Sequence, residues 1–199
     1  MLTGTALAQR GVTLVELLIT LAVVAVVLTL AAPAYSAWIQ NTQIRSAAEP
    51  LLVGVKLARA EALKRNATVH FQLMSSTDST CALSTTGPNW VVSINSAAGL
   101  CDVTDSSQDP FITRRNPSVT AAGGVTFSAS QSSIDFDGLG RVTPAPANDV
   151  TIDMENPAGG NTCAAVGGNM RCLRVQVTAG GQARMCDPAV TASGDVRKC

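Results

Sequence analysis

Residues 12–32, VTLVELLITLAVVAVVLTLAA, make an apolar run of 21 residues that carries a single ionisable side chain, Glu16. The run is longer than the ~7–15 residues of a secretory signal core and close to the ~20 that take a helix across a bilayer. Arg10 stands directly before it, so the positive-inside tendency turns the helix start toward the cytoplasm and exports everything after Ser36. Two plainer expectations compete. Ala32-Pro33-Ala34 offers small residues where a signal peptidase would release a secreted protein, and an unprocessed signal anchor would simply keep the helix. Glu16 is the odd residue. A carboxylate well inside a bilayer costs roughly 2.5–3.5 kcal/mol, less near a helix end, so an intramembrane acid usually has a partner.

The chain has 199 residues, which leaves about 130 after the apolar run and the helix that continues it, enough for one soluble domain with its own core. Formal charge is zero but unevenly spread: 40–70 carries five bases and two acids, 102–155 three bases and eight acids, and 171–199 five bases and two acids. An anionic partner is therefore expected at the last segment. All six cysteines (Cys81, Cys101, Cys163, Cys172, Cys186, Cys199) follow the apolar run. An even set in an exported domain reads as disulfides in an oxidising compartment. With no CxxC or Cys/His spacing, neither a metal nor a cofactor is expected.

From Ala37 to Asn66 a helical period persists. Ile44, Ala48, Leu51, Val55, Ala58 and Ala62 fall on one stripe, with Arg45, Lys56, Arg59 and Arg65 off it. The stripe should pack on the globular domain. Pro33 and Pro50 each remove a backbone donor, so kinks are expected near both.

Arg10-Gly11 followed by Val12-Thr13-Leu14-Val15-Glu16 and an uninterrupted apolar helix resembles the leader and stalk of type IV prepilins. The resemblance implies cleavage between Gly11 and Val12 by a prepilin peptidase, methylation of the new Val12 amine, and retention of the helix. Glu16 would then pair with the Val12 ammonium of its own or a neighbouring subunit as helices pack in a filament, a registry device rather than a source of stability. Implied partners are the inner membrane and other major and minor pilins. LARAEALKRNATVHF, residues 57–71, is similar to the segment shared by the minor pseudopilin H of type II secretion and the FimT/FimU minor pilins. The expected organisation is a leader at 1–11, an N-terminal helix at 12–66 (12–32 transmembrane) and a β-rich domain at 67–199, single-pass with the C-terminal domain in the periplasm.

After Asn66, short alternating or apolar runs at 69–73, 90–94, 111–114, 125–129, 134–136, 150–154 and 173–177 are separated by Gly, Pro, Ser and Asn. They predict an α+β protein: a long kinked helix packed on an antiparallel β-sandwich or roll. No GxSxG, HExxH or P-loop signature occurs, and the lone His70 lies on a strand pattern, so no catalytic residue is expected. Asp135 and Asp137, before the Gly138-Leu139-Gly140 turn, read as turn residues rather than a cation site.

The last stretch, CLRVQVTAGGQARMC, reads as a hairpin. With a three-residue loop at Thr178-Ala179-Gly180, and Gly180 in the left-handed position, Cys172 falls opposite Cys186 as a disulfide and Arg174 opposite Arg184. Leu173, Val175, Val177, Ala183 and Met185 would face the core. Like charges face to face invite an anion between them. The FimT branch carries Gly-Arg-x-Arg here, associated with DNA binding for uptake in natural transformation; the matching residues are Gly181-Gln182-Ala183-Arg184. Arg171, Arg174, Arg184, Arg197 and Lys198 are thus the candidate DNA contacts. The reading is a minor type IV pilin of the FimT/FimU kind, engaged in pilus priming or assembly, with a type II secretion pseudopilin as its alternative.

Overall fold

The computed structural model describes residues 12–116, 124–160 and 162–199 of the chain, with the side chains of 31–33 and 159 left undescribed. One helix, α1 (Leu14–Arg65), precedes eight strands: β1 (Val69–Met74), β2 (Asn89–Ser93), β3 (Ile112–Asn116), β4 (Thr126–Ala129), β5 (Ser133–Phe136), β6 (Val150–Glu155), β7 (Leu173–Val177) and β8 (Ala183–Cys186). Two compact units divide the chain at Trp38/Ile39.

In the first unit α1 is apolar and bare. Leu14, Leu18, Leu21, Val24, Val27 and Leu30 are all more than half exposed. The hydroxyls of Thr20 and Thr29 donate to the carbonyls of Leu17 and Val26, so neither polar group is left open on the helix surface. No single helix is long and apolar enough to cross a membrane; Leu14–Leu30 and Ala34–Arg65 reach that length and composition only together.

The second unit is α+β, with α1 on two four-stranded antiparallel sheets, ordered β3-β2-β1-β5 and β4-β6-β7-β8. The expected helical stripe is its centre: Ile44, Ala48, Leu51, Val55, Ala58 and Ala62 are all at most 1 % exposed. They share one core with Phe71, Phe136, Ile152 and Val175 from both sheets. The backbone stays helical across Pro50, so the kink expected there does not interrupt the element; the side chain of Pro33 lies outside the described residues. The helix ends at Arg65 because Asn66 turns left-handed (φ 50°), a conformation Asn tolerates better than most residues.

Strand parity sorts β1 between two clusters. Val69, Phe71 and Leu73 enter the main core, whereas Met74 joins Cys81, Val91, Ala97, Cys101 and Ile112 on the opposite face of the first sheet. Segments 75–88 and 94–111 cover that face and are tied by the Cys81–Cys101 disulfide. Gln72, only 3 % exposed, pins the cover: its Oε1 accepts the Ala97 N–H at 2.8 Å and its Nε2 donates to Ser96 Oγ at 3.4 Å.

Gly54 explains itself by contact. A glycine inside a helix costs about 1 kcal/mol relative to alanine, yet a Cβ here would lie 2.7 Å from the Trp90 ring, which packs in turn on Phe71 at 5.6 Å. Gly54→Ala should therefore destabilise the domain by about 1–3 kcal/mol despite its better helix propensity. Thermal melting checks this, and an unchanged or raised midpoint would refute the close-approach account.

Candidate functional site

Two places carry the residues singled out in the sequence, the start of α1 and the C-terminal hairpin. At the helix start, Arg10 and Gly11 lie outside the described residues, so the expected cleavage bond is described only from its Val12 side. Val12 is 72 % exposed. Thr13 caps the helix: its Oγ1 accepts the Glu16 N–H at 3.2 Å and its carbonyl accepts the Leu17 N–H. Thr13-x-x-Glu16 is the spacing of a capping box, a local role for the acid that is written in the sequence and needs no second chain. Glu16 thus sits in the first turn, where unpaired helix N–H groups favour a negative charge. While Gly11 remains attached, Val12 N is a peptide nitrogen and the ammonium expected to face Glu16 does not exist.

The hairpin corrects two expectations. Val177 pairs Ala183, Gln176 pairs Arg184, Val175 pairs Met185 and Arg174 pairs Cys186. The loop is therefore Thr178–Gln182, two residues longer than expected, and Gly181 rather than Gly180 takes the left-handed position (φ 75°). A Cβ on Gly181 would also meet the Gly140 carbonyl at 1.9 Å, so no other residue fits. With the register moved by two, Cys172 is not opposite Cys186. Cys163 bonds Cys172 and Cys186 bonds Cys199. The facing pattern survives, because a shift of two preserves parity: Val175 and Val177 are fully buried, and Leu173, Ala183 and Met185 pack against the core.

Nor do Arg174 and Arg184 face each other. Arg174 lies beside Asp153 of β6 and grips it with two hydrogen bonds, Nε to Oδ1 at 2.7 Å and Nη2 to Oδ2 at 3.0 Å. That bond raises the arginine's pKa further. Arg184 donates to Gln176 Oε1, Arg171 to Asp187 at 3.1 Å, and Arg197 to Asp195 at 2.7 Å. The Arg197 hydrogen bonds pull the Asp195 carboxyl down to about 2. Three of the five candidate cations are thus already paired with aspartate.

Residues of α1 outside the expected set position this region. Arg59 donates from Nε to the Gly140 carbonyl at 3.0 Å and from Nη2 to the Gly180 carbonyl at 3.4 Å, clasping two loops to the helix. At the other end of this unit, Gln40 donates to the Ala158 carbonyl, Asn41 Oδ1 accepts the Arg171 N–H, and Gln43 accepts from Asn156. Between α1 and edge strand β8 opens a cleft of about 240 Å³, walled by Leu173 and Met185 and carrying Arg45, Arg171, Arg197 and Asp187.

His70 and Asp135 form a cross-strand pair at 2.7 Å. Ser133 Oγ donates to the same carboxyl oxygen at 2.6 Å, so the hydroxyl is bound to the acid and not to the imidazole that would have to activate it. Burial pushes the Asp135 carboxyl up, but the hydrogen bonds from His70 and Ser133 outweigh it and hold it below the ordinary range. Asp137 takes N–H groups from Arg141 and Leu139, as a turn residue does. Peptide mapping of the oxidised protein should recover Cys163 linked to Cys172 and Cys186 linked to Cys199; a Cys172–Cys186 peptide would overturn the observed register.

Comparison with known proteins agrees with this architecture. The family described as type II transport protein GspH matches residues 47–181, and the prokaryotic N-terminal methylation motif matches residues 7–32. No curated protein sequence matches. Among solved structures, the type IV minor pilin FimU of Pseudomonas aeruginosa in space group P21 is similar at a TM-score of 0.50 and 13% identity, over 72% of this chain and 88% of that one. FimU in space group P65 aligns at 0.47 and 13%, over 71% and 90%. At that identity the likeness speaks for the fold alone, but the GspH match spans more than half of the chain: the protein belongs to the GspH family of pilin-like proteins, the minor pilins and pseudopilins of type IV pili and type II secretion.

Proposed function

We propose that the chain is a minor type IV pilin of the FimT/FimU kind, a structural subunit that enters a pilus or its priming complex after its leader is removed. The observation that carries this reading is the bare apolar half of α1, which starts at a capped Thr13-x-x-Glu16 turn and is covered by nothing in its own chain among the described residues. Such a surface needs lipid before assembly and neighbouring helices after it. Leu14–Leu30 is about 25 Å long at 1.5 Å per residue, near the ~30 Å hydrocarbon thickness. Tyr35 and Trp38, stacked at 6.0 Å and both more than 60 % exposed, suit the bilayer–water interface that follows. Three disulfides suit a periplasmic domain, so the inner membrane with residues after Ser36 outside is the proposed location.

The match to the GspH family over 47–181 favours the second reading, a type II secretion pseudopilin. DNA uptake receives little support. A phosphate clamp from Arg174 and Arg184 needs both guanidinium groups free, and Arg174 is committed to Asp153. What remains is Arg184 and Lys198, too few to hold a polyanion at physiological salt.

Mass spectrometry of the mature protein should give an N-terminus at methylated Val12; one at Tyr35 would end the filament reading. Purified pili containing the protein would support a pilin, whereas a secretion defect with normal pili in a deletion strain would support the pseudopilin. Glu16→Ala should leave membrane insertion intact and lower incorporation about tenfold, the factor corresponding to ~1.4 kcal/mol of lost pairing. Wild-type incorporation would make the Val12–Glu16 pair dispensable.

A further inference from the structure

Four buried side-chain polar atoms have no hydrogen-bond partner among the described residues: Asn89 Oδ1, Trp90 Nε1, Thr113 Oγ1 and Asn116 Nδ2. All four belong to β2 or β3, at one edge of the first sheet. Folded proteins rarely leave such atoms unpaired, and a cluster of them in one place points to a missing partner. Trp90, only 3 % exposed, and Asn116 are cross-strand neighbours, and both line a groove of about 530 Å³ between α1 and β3. The indole N–H and the amide nitrogen can only donate. Whatever completes them must bring oxygen acceptors.

The surroundings suit an extended chain. β3 ends its sheet, so one side of its backbone has no neighbouring strand, and a strand laid there would run along the rim of the groove. The helix wall offers exposed Val53 and half-buried Leu57, with the exposed acid Glu49 beside them. On the strand wall Arg114 is exposed and forms no ion pair or hydrogen bond among the described residues. The next residue, Arg115, turns the other way, its Nη1 donating to the Cys101 carbonyl at 2.7 Å. Two adjacent arginines on an open edge oppose pairing with a second copy, which would lay like charges across from one another. They favour a strand that carries acid, and Glu49 on the helix wall repels that acid toward Arg114.

We infer that the open edge of β3 is a docking site for an extended, acidic segment of a different filament subunit, which adds a strand to the first sheet and sets a carboxylate beside Arg114. Its backbone carbonyls supply acceptors for the donors of Asn116 and Trp90, and an apolar side chain covers Val53 and Leu57. Because the two surfaces belong to different proteins, the contact ends with one pair and does not propagate, as a subunit present in few copies requires. The inference rests on the minor-pilin reading and adds to it the surface by which such a subunit is recognised.

The test uses the full chain in the cells that make it, with a photoreactive benzophenone side chain in place of Val53. Illumination should crosslink it to a different pilin-like subunit, through a peptide that carries Asp or Glu, and Arg114→Glu should lower the yield about tenfold or more. Val166→Glu, which puts the same charge on another exposed apolar residue, should leave the yield unchanged; unaltered melting curves would show that both variants keep the fold. A synthetic peptide copying the crosslinked segment should slow amide exchange in β3 of the full chain in detergent. The same peptide with lysine in place of its acids should protect the Arg114→Glu variant and not the wild type. No adduct, an adduct with a second copy of this chain, a yield indifferent to Arg114→Glu, or a peptide that leaves β3 unprotected would each overturn the docking. If the mature protein enters filaments without forming the adduct, only the docking falls; if Tyr35 proves to be the N-terminus, the filament reading falls with it.

Discussion

One face of one helix holds the second unit together. Each sheet turns one apolar face toward the stripe of α1, and the first sheet buries its other face under the cover. The face alternates bulk and absence of bulk: Ile44, Leu51 and Val55 fill the core, while Ala47, Ala48, Gly54, Ala58 and Ala62 let strand side chains come close. Gly54 is the extreme case, since the Trp90 ring occupies the space a Cβ would take. The helix is therefore selected for closeness at some positions at the expense of propensity. Two of its polar side chains, the half-buried Arg59 and the buried Gln40, reach sideways to carbonyls in the loops after β5 and β6.

Periodicity explains what could be read in advance and what could not. The stripe Ile44–Ala62 follows from a 3.6 period alone, and the strands follow from a period of two. Hairpin register does not. Loops of three and of five residues both place Val175, Val177, Ala183 and Met185 inward, so burial cannot tell them apart. The choice falls to Gly181, whose backbone lies against Gly140 forty-one positions earlier, a contact no local pattern announces. That choice moves Cys172 away from Cys186, and the two bond Cys163 and Cys199 instead. The cover at 75–88 and 94–111 was equally hidden, because its anchor is Gln72, a polar residue on a strand face that would ordinarily look to water.

Charge was legible as sign and not as availability. The last segment is basic by composition, but cross-strand geometry puts Asp153 beside Arg174, and a turn puts Asp195 beside Arg197. An exposed pair of this kind adds little stability. It matters more for recognition, since each guanidinium so engaged must exchange an aspartate before it can take another anion.

Glu16 gathers these themes at the other end of the chain. In the uncleaved chain its position is already electrostatically tolerable, because it lies in the first turn of a helix whose free N–H groups carry partial positive charge. Cleavage before Val12 would add a full positive charge one turn away, converting a peptide N–H into an ammonium while leaving Thr13 as the cap. The same carboxylate would then face two positive sources from its own chain, with a third possible on an adjacent helix. A charge of this sort discriminates strongly among registers in a low-dielectric filament core, since sliding one helix past another by a turn exposes an unpaired acid to hydrocarbon. Under the proposed cleavage the new ammonium would give Glu16 a partner, and the carboxylate would serve as a register mark while Thr13 stays the cap.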